Sequence, residues 1–290
     1  MKKAFLLIIP LVTVLTLLSP LCFSVAKGEV LEEISLTVIM YHSLLKSRQG
    51  VYILSPEKLR ADICGLREKG FCFVSPSELR NYVKGAISLP YKCALVCFDD
   101  GHYNNLLYGL PILKEEGVVA LISVIGKFCQ FSTESGDGHN PNYSYLTWAD
   151  IRVLQESGFA EIGNHTYAMH DYTPRFGVGR IGGEGDVGYK KALEEDMERL
   201  ERVLSEEGIK RPVAFAYPFG RYNRLAEEVL RERGYQMSFT CCEGINKIGQ
   251  GNPEGLFLLK RYNRDGRLSS AEFVEKMQGS FMRAMAKEQR

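Results

Sequence analysis

The stretch EEGVVALISVI, residues 115–125, joins a charged helix end to an apolar strand through Gly117. A glycine just past a helix supplies the left-handed cap, and the strand that follows it starts a new layer. The same junction recurs at EKGFCFV (68–74), ESGFAEIG (156–163), EEGIKRPVAFAY (206–217) and ERGYQMSFT (232–240). Five such junctions predict a chain in which helices and strands alternate.

The apolar runs themselves indicate how the strands are covered. Residues 37–41, 94–98 and 118–125 are apolar almost throughout, which is typical of parallel strands with helices or core on both faces. We therefore predict an α/β fold, a parallel sheet curled into a distorted (β/α) barrel. No low-complexity linker interrupts the chain after the N-terminus, so residues 30–290 are predicted to form one domain.

The first 26 residues predict an export segment. Two lysines precede an apolar run from Ala4 to Phe23, and the small residues Ser-Val-Ala come directly before Lys27. Positive charge, apolar core and small-residue cleavage site are the parts of a signal peptide. The run is also long enough for an N-terminal membrane anchor, although its two prolines weaken it as a spanning helix. Either interpretation predicts a protein that is secreted or held at the cell surface.

Charge and motif context exclude two other classes of function. The chain has 36 basic and 35 acidic residues and a net charge of +1, so it lacks the excess of positive charge that is typical of nucleic-acid-binding proteins. The sequence GVGRIG, residues 177–182, matches a dinucleotide fingerprint but follows no strand. We interpret the segment from Asp171 to Gly188 as a loop at the rim of the barrel.

Functional groups of such a barrel belong at the carboxyl ends of its strands. Four apolar runs end in polar or conformationally special residues, and three of these ends supply histidine or aspartate. The four ends are Tyr41-His42-Ser43, Asp99-Asp100-Gly101-His102, Asn164-His165 and Tyr217-Pro218-Phe219-Gly220.

Two interpretations fit the adjacent aspartates Asp99 and Asp100. Neighbouring carboxylates after an apolar strand repel each other and lose hydration, unless one of them binds a cation. Alternatively, Asp-Asp-Gly is a turn that leads into a helix near Asn104.

Two interpretations also fit His165 and His170: metal ligands or unrelated surface residues. Two imidazoles and a carboxylate suit zinc or a similar divalent ion and leave one coordination position open for water. A spacing of five residues on a helix directs the rings apart, so they converge only if the segment is a loop. Otherwise they are two unrelated surface histidines.

Five stretches carry a family resemblance. Four of them are similar, in the same order, to the motifs of the polysaccharide deacetylase family, carbohydrate esterase family 4: VCFDDGHYNN (96–105), LISVIGKF (121–128), EIGNHTYAMHD (161–171) and FAYPFGRYN (215–223). VIMYHSL (38–44) is similar to the branch of secreted exopolysaccharide deacetylases, and the spacing of His165 and His170 is one residue wider than in most members. The likeness spans about residues 36–262 and implies a distorted barrel of about seven parallel strands.

The resemblance implies roles for individual residues. Asp99 matches the general base, whereas Asp100, His165 and His170 match the metal ligands. The backbone N–H of Phe219 matches the group that holds the carbonyl oxygen. The implied cofactor is a divalent metal, Zn²⁺ first, with Co²⁺, Ni²⁺ or Mn²⁺ as alternatives.

The sequence also departs from the family pattern. Ala216 stands where most members have an arginine that orients the base, so another group must hold Asp99. The late motif that usually supplies a histidine as general acid reads LFLLKRYNRDG, residues 256–266, and contains none. We predict His42 as the proton donor, with His102 as second candidate, and interpret His139 as loop surface.

Four aromatic residues lie near these motifs: Tyr145, Trp148, Tyr167 and Tyr217. We predict Tyr167 and Tyr217 as sugar contacts, because aromatic faces suit sugar rings; packing in the core or a lid is the alternative.

Together these features predict a hydrolase that removes N-acetyl groups from a polymer containing N-acetylglucosamine, either an exopolysaccharide, peptidoglycan or a chitin-like chain. Two alternatives stay open. One is a carbohydrate-binding relative that has lost catalysis, and the other is a metal-dependent esterase that removes O-acetyl groups.

Overall fold

The computed structural model of the chain describes residues 33–136 and 139–288. Its strands are β1 (Glu33–Tyr41), β2 (Ser43–Leu44), β3 (Ile53–Leu54), β4 (Cys72–Phe73), β5 (Lys92–Phe98), β6 (Ala120–Val124), β7 (Ala160–Asn164), β8 (Ala214–Ala216), β9 (Met237–Phe239), β10 (Asn246–Gly249) and β11 (Arg261–Asn263). Its α-helices are α1 (Pro56–Glu68), α2 (Pro76–Val83), α3 (Leu110–Glu116), α4 (Gly126–Ser135), α5 (Trp148–Glu156), α6 (Asp186–Glu206), α7 (Arg224–Glu232) and α8 (Ser270–Glu288). Short helical turns cover Asn105–Gly109, Pro218–Gly220 and Pro253–Leu256.

The main sheet has the strand order β10-β1-β5-β6-β7-β8-β9. Every pair in this order is parallel except β10 with β1. In addition, β4 pairs with β5, and β11 pairs in parallel with the second half of β1. The alternation of helix and parallel strand that the glycine junctions predicted is therefore confirmed.

Leu259 joins the two ends of this sheet. Its N–H donates to the Ser238 carbonyl at 2.8 Å, and its carbonyl accepts from the N–H of Thr240 at 2.9 Å. It forms a parallel bridge with Phe239 at the end of β9, and β11, which pairs with β1, begins two residues later. The curled sheet of β1, β5 to β9 and β11 confirms the predicted distorted barrel of about seven parallel strands.

The two faces of the strands are buried in different surroundings. On β5, Cys93, Leu95 and Cys97 pack with residues of β8 and β9, whereas Ala94 and Val96 belong to the cluster under the helices. Successive side chains of a strand point to opposite faces, and both faces here are covered. This double burial explains why the strands are continuous apolar runs.

Gly117 ends α3 in the left-handed region, with φ of 60°, and its N–H donates to the Lys114 carbonyl at 3.2 Å. The predicted left-handed cap is thus present. The glycines of the other four junctions also have positive φ: Gly70, Gly158, Gly208 and Gly234.

The predicted export segment, residues 1–26, lies outside the described residues. Within 33–136 and 139–288, no helix combines the length and the apolar character needed to cross a bilayer.

Candidate active site

The candidate site lies at the carboxyl ends of the barrel strands. Strands β1 and β5 pair in register up to Tyr41 opposite Phe98, and the N–H of Asp99 donates to the Tyr41 carbonyl at 3.0 Å. His42 and the two aspartates therefore leave neighbouring strands at the same level. Strand β7 ends at Asn164, directly before His165.

Three side chains converge at this rim. Oδ1 of Asp100 lies 3.5 Å from Nε2 of His165 and 3.4 Å from Nε2 of His170. The three candidate ligand atoms lie within 4.8 Å of one another. His165 is buried, whereas Asp100 and His170 keep part of their surface exposed. The arrangement is thus closed on one side and open to solvent on the other.

The two histidines converge because the segment between them is a loop with a sharp backbone turn. Oδ1 of Asn164 accepts from the N–H of Thr166 at 2.6 Å, and Thr166 has a φ of 72°. Oγ1 of Thr166 accepts from the N–H of Met169 at 3.1 Å. The prediction that the rings can meet only on a loop is confirmed.

Asp196 on helix α6 fixes the same loop from outside. Its two carboxylate oxygens accept from the N–H groups of Tyr167 and Ala168, each at 2.7 Å. Two backbone hydrogen bonds to one buried carboxylate leave the loop little freedom, because charge-assisted bonds are stronger than neutral ones. The positions of both histidines therefore depend on a helix outside the site.

The hydrogen bond of His165 determines which of its nitrogens faces the site. Nδ1 lies 2.7 Å from the Ala216 carbonyl, and a carbonyl can only accept, so Nδ1 carries a proton. This leaves Nε2 toward Asp100, as in metal-ligating histidines whose other nitrogen donates to the protein. Ala216 thus takes part in the site through its backbone carbonyl, because its methyl side chain cannot form a hydrogen bond.

Charge at the site also suits a cation. Burial lowers the pKa of His165, but Asp99 and Asp100 outweigh it and raise the pKa, so this position attracts positive charge. Burial and the neighbouring His165 lower the pKa of His170 to about 4, which keeps its imidazole neutral and able to coordinate. The donor set fits a divalent metal, although the role of the three residues as ligands stays a prediction.

Asp99 is held by Arg261, a residue that the sequence did not identify. Nη1 of Arg261 lies 2.8 Å from each carboxylate oxygen of Asp99, and its Nε donates to the Thr240 carbonyl at 2.8 Å. Burial alone would raise the pKa of Asp99, but the guanidinium outweighs it and holds the pKa below its ordinary value. The arginine missing at position 216 is therefore replaced from β11.

The candidate proton donors occupy different places. His42 has a buried Nδ1 that makes no hydrogen bond within the described part of the chain, and its ring lies 4.7 Å from that of Tyr52. Burial holds the pKa of His42 below its ordinary value, and the charges of the two site aspartates, which act to raise the pKa, offset this only in part. His102 lies with Nε2 3.6 Å from Asp100 Oδ2. His139 is exposed and pairs with Asp150, as expected for a loop residue.

Phe219 lies next to the metal-binding candidates. Its φ of 56° and ψ of 14° are left-handed values, which cost energy for a residue with a side chain and often mark functional sites. Asp100 and Thr166 also have positive φ. The ring of Phe219 lies 4.4 Å from His170 and, at 4.9 Å and 4.7 Å, contacts the rings of Phe176 and Tyr172.

The predicted sugar contacts Tyr167 and Tyr217 are wrong, because both rings are inside the protein. Tyr217 is fully buried, and its hydroxyl donates to Glu227. Tyr167 is 5% exposed, and the Arg199 guanidinium covers its ring at 4.0 Å. Both partners, Glu227 on α7 and Arg199 on α6, belong to helices that cover the sheet, and nothing in the sequence shows that they meet these rings.

Two exposed aromatic residues lie beside Phe219: Tyr172 and Phe176, which are 72% and 38% exposed. They belong to the loop after His170, for which the sequence gave no regular pattern. Their only signal was aromatic side chains in an otherwise polar, glycine-rich segment.

The fold and site define the class: a parallel (β/α) barrel with an Asp-His-His cluster and a buried aspartate at the carboxyl ends of its strands. Residues 87–238, just over half of the chain, match the family described as Polysaccharide deacetylase. The chain belongs to the polysaccharide deacetylase family, which confirms the resemblance carried by its motifs.

Named relatives agree with this assignment. The chain is 27% identical over 211 residues to the poly-β-1,6-N-acetyl-D-glucosamine N-deacetylase of Escherichia coli (strain K12), across 66% of this chain and 31% of the relative. It therefore spans about a third of that protein's length. The structure of IcaB from Ammonifex degensii is 26% identical, with a TM-score of 0.68 over 84% of this chain and 97% of IcaB. A de-N-acetylase from Aggregatibacter actinomycetemcomitans has the same fold, with 21% identity and a TM-score of 0.68 over 83% of this chain and 99% of that one.

Proposed function

We propose that this protein is a metal-dependent hydrolase that removes N-acetyl groups from a polymer of N-acetylglucosamine. The observation that carries the proposal is the convergence of Asp100, His165 and His170 beside a buried, arginine-paired Asp99. A domain of residues 30–290 would carry this activity, and residues 1–26 would export it to the cell surface or the medium.

The cluster would hold a divalent cation, Zn²⁺ first because two imidazoles and a carboxylate with an open position are its usual catalytic ligands. Co²⁺, Ni²⁺ or Mn²⁺ would fit the same donors. When bound, the cation would lower the pKa of a water molecule and polarise the acetamide carbonyl.

Asp99 would accept the proton of the attacking water. Its pairing with Arg261 keeps the carboxylate ionised and fixes both of its oxygens, which a general base requires. The N–H of Phe219 would donate to the carbonyl oxygen as negative charge develops there.

His42 would donate a proton to the sugar nitrogen as the carbon–nitrogen bond breaks. His42 directly follows β1, close to the two aspartates. Its buried Nδ1 forms no hydrogen bond with any of the described residues. The products would be acetate and a free amino group on the polymer.

Substrate identity is proposed from the curated relative, whose name specifies poly-β-1,6-N-acetyl-D-glucosamine. This favours an exopolysaccharide over peptidoglycan or a chitin-like chain. The exposed rings of Tyr172 and Phe176 next to Phe219 would contact the sugar, in place of the two buried tyrosines.

Arg261 also bears on the binding-only alternative. That alternative depends on two departures from the family pattern, Ala216 and the absence of a histidine in residues 256–266, and the guanidinium of Arg261 answers the first of them. The fully paired base favours a working enzyme over a domain that only binds sugar.

The test is acetate release by the full chain, with metal content measured on the same sample. Substrates are β-1,6-linked N-acetylglucosamine oligomers, chitin oligomers and O-acetylated xylan, each with and without a chelator. We expect chelator-sensitive release from the β-1,6 oligomers. Release from xylan alone would identify an esterase, and binding of oligomers without release from any substrate would identify a binding protein.

A further inference from the structure

The glycine-rich stretch GVGRIG, residues 177–182, begins against the turn that carries the N–H of Phe219. A Cβ atom added at Gly177 would lie 2.7 Å from the Pro218 carbonyl oxygen and 3.4 Å from the Phe219 ring. The first distance is too short for a carbon and an oxygen that are not bonded, so the backbones can approach this closely only at a glycine. Gly177 also has a φ of 57°, in the left-handed region.

The Pro218 carbonyl and the Phe219 N–H belong to one peptide unit. A trans peptide unit is planar, so these two groups point in opposite directions and rotate together. In the proposed function, this N–H donates to the carbonyl oxygen of the substrate as negative charge develops there. Contacts that hold the Pro218 carbonyl therefore also determine where the Phe219 N–H points.

The observed orientation of this peptide unit is not the one that the turn favours by itself. The Gly220 N–H donates to the Tyr217 carbonyl at 2.9 Å, which closes a β-turn over residues 217–220. Phe219, the third residue, has a φ of 56°, as in a type II turn, where glycine or asparagine is usual. In the commoner type I turn this φ is negative, and the central peptide unit is rotated by roughly half a revolution. A residue with a side chain keeps the type II orientation only with support from outside the turn.

Two contacts on the Pro218 carbonyl provide this support. The N–H of Arg221 donates to the carbonyl oxygen at 3.1 Å, and Gly177 packs against the same oxygen. The ring of Phe176, directly before Gly177, stacks on the Phe219 ring at 4.9 Å between centroids. The Arg221 guanidinium lies 5.3 Å from the centroid of the Phe176 ring. The glycine-rich stretch and the turn are therefore packed together through backbone and side chains.

The position of Gly177 is itself fixed on both sides. Its N–H donates to the Asp171 carbonyl at 3.0 Å. The next residue, Val178, is fully buried, and its carbonyl accepts from the hydroxyl of Tyr189 on α6 at 2.7 Å. That hydroxyl also accepts from Nδ2 of Asn223 at 3.0 Å. Gly177 thus forms a fixed wall beside the turn.

We propose that Gly177 is a positioning residue for the N–H of Phe219. Its missing side chain leaves room for the Pro218 carbonyl, and its fixed backbone keeps the peptide unit in the orientation that offers the N–H to the substrate. This inference rests on the proposed function and deepens it, because a donor held in place before the reaction stabilises the transition state without reorganisation. Gly177 therefore acts on the chemical step rather than on substrate binding.

The test compares Gly177→Ala with Gly183→Ala, a matched control in the same loop. Both glycines have positive φ, 57° and 79°, but a Cβ at Gly183 would meet no atom within 4 Å. We expect kcat on β-1,6-linked N-acetylglucosamine oligomers to fall about a hundredfold in Gly177→Ala, as for loss of one oxyanion donor, with KM and metal content unchanged. Gly183→Ala should retain the kcat of the wild type. An unchanged kcat in Gly177→Ala, or equal losses in the two variants, would overturn the positioning role.

Tyr189→Phe takes the place of Gly177→Ala if that variant does not fold. It adds no atom and removes the hydroxyl that fixes the Val178 carbonyl. We expect kcat to fall about fivefold with KM unchanged, because a small displacement of a group that acts in the transition state lowers the rate. A kcat equal to that of the wild type would then refute the inference.

Crystal structures of the two glycine variants separate this inference from the proposed function. We expect a negative φ at Phe219 in Gly177→Ala, with the peptide unit rotated, and the positive φ of the wild type in Gly183→Ala. A rotated peptide unit supports the control of the turn by Gly177 even if the wild type releases no acetate from any substrate. A positive φ at Phe219 in Gly177→Ala refutes the inference even if the wild type is fully active.

Discussion

Arg261 contacts both carboxylate oxygens of Asp99 from one guanidinium nitrogen, at 2.8 Å each, although 162 residues separate the two. Both side chains are buried, with exposures of 0% and 2%. Burying an ion pair costs hydration, so it contributes little stability by itself and is better explained by a requirement for a fixed carboxylate. The base is thus oriented from the segment that closes the barrel rather than from the residues before Pro218.

Replacing Arg261 by Lys should lower activity without removing metal. An ammonium cannot make the same set of contacts as a guanidinium, so Asp99 would be held less firmly. We expect kcat to fall by about tenfold to a hundredfold, as for loss of a residue that orients a site. Steady-state acetate release and metal analysis of the same protein measure the two effects.

The pH profile and a matched variant show whether Arg261 orients Asp99 or only supports the folded structure. Arg261 lowers the pKa of Asp99, so weakening the pair should raise that pKa and move the acidic limb of kcat/KM to higher pH. Arg264→Lys disrupts an equally buried pair with Asp62 in the same segment and should leave the limb in place. An unchanged limb in Arg261→Lys would contradict the orienting role.

Much of the site could be predicted because its residues directly follow apolar runs. Asp99, Asp100 and His165 each come immediately after a buried strand, and parallel strands end at one rim. Arg261 could not be predicted in this way, since its partner is far away in sequence. Its segment, 256–266, lacks the histidine of the family pattern, and no local feature of the sequence marks an arginine whose side chain enters the barrel.

The fold shows the same division between local and distant information. The helix–glycine–strand junctions were predictable because each is a local conformational requirement, as at Gly117. The closure through Leu259 and the antiparallel strand β10 were not predicted, because strands of three or four residues have no measurable periodicity. Whether Tyr217 faced inward depended on Glu227, which lies on a later helix.

Substitutions of Asp100 and Asp99 should have different effects on metal binding and on catalysis. Asp100→Ala removes the oxygen that faces both imidazoles and should lose metal together with activity. Asp99→Asn keeps the three candidate ligands but cannot accept a proton, so it should retain metal with no measurable turnover. Metal analysis after dialysis tests this, and equal occupancy of wild type and Asp100→Ala would overturn the assignment.

Asp196 should control metal affinity although it is no ligand. In Asp196→Asn, only one side-chain atom can accept, so one of the N–H groups of Tyr167 and Ala168 loses its partner. We expect metal affinity to fall about tenfold, in the range found for residues that support ligands. Competition with a chromogenic chelator measures the affinity. Glu195→Gln, on the exposed part of the same helix, is the control and should bind metal normally.

Replacing His42 should lower activity more for a substrate with a poor leaving group than for a substrate with a good one. An amine departs only when it is protonated, whereas the phenolate of an activated aryl acetate departs without a proton donor. His42→Gln should therefore reduce acetate release from the oligomer by about a hundredfold and leave hydrolysis of the aryl ester within a few-fold of wild type. His102→Gln tests the second candidate in the same assay, and His139→Gln serves as the control because His139 is exposed and pairs with Asp150. Parallel losses on both substrates would show that His42 supports the site without donating the proton.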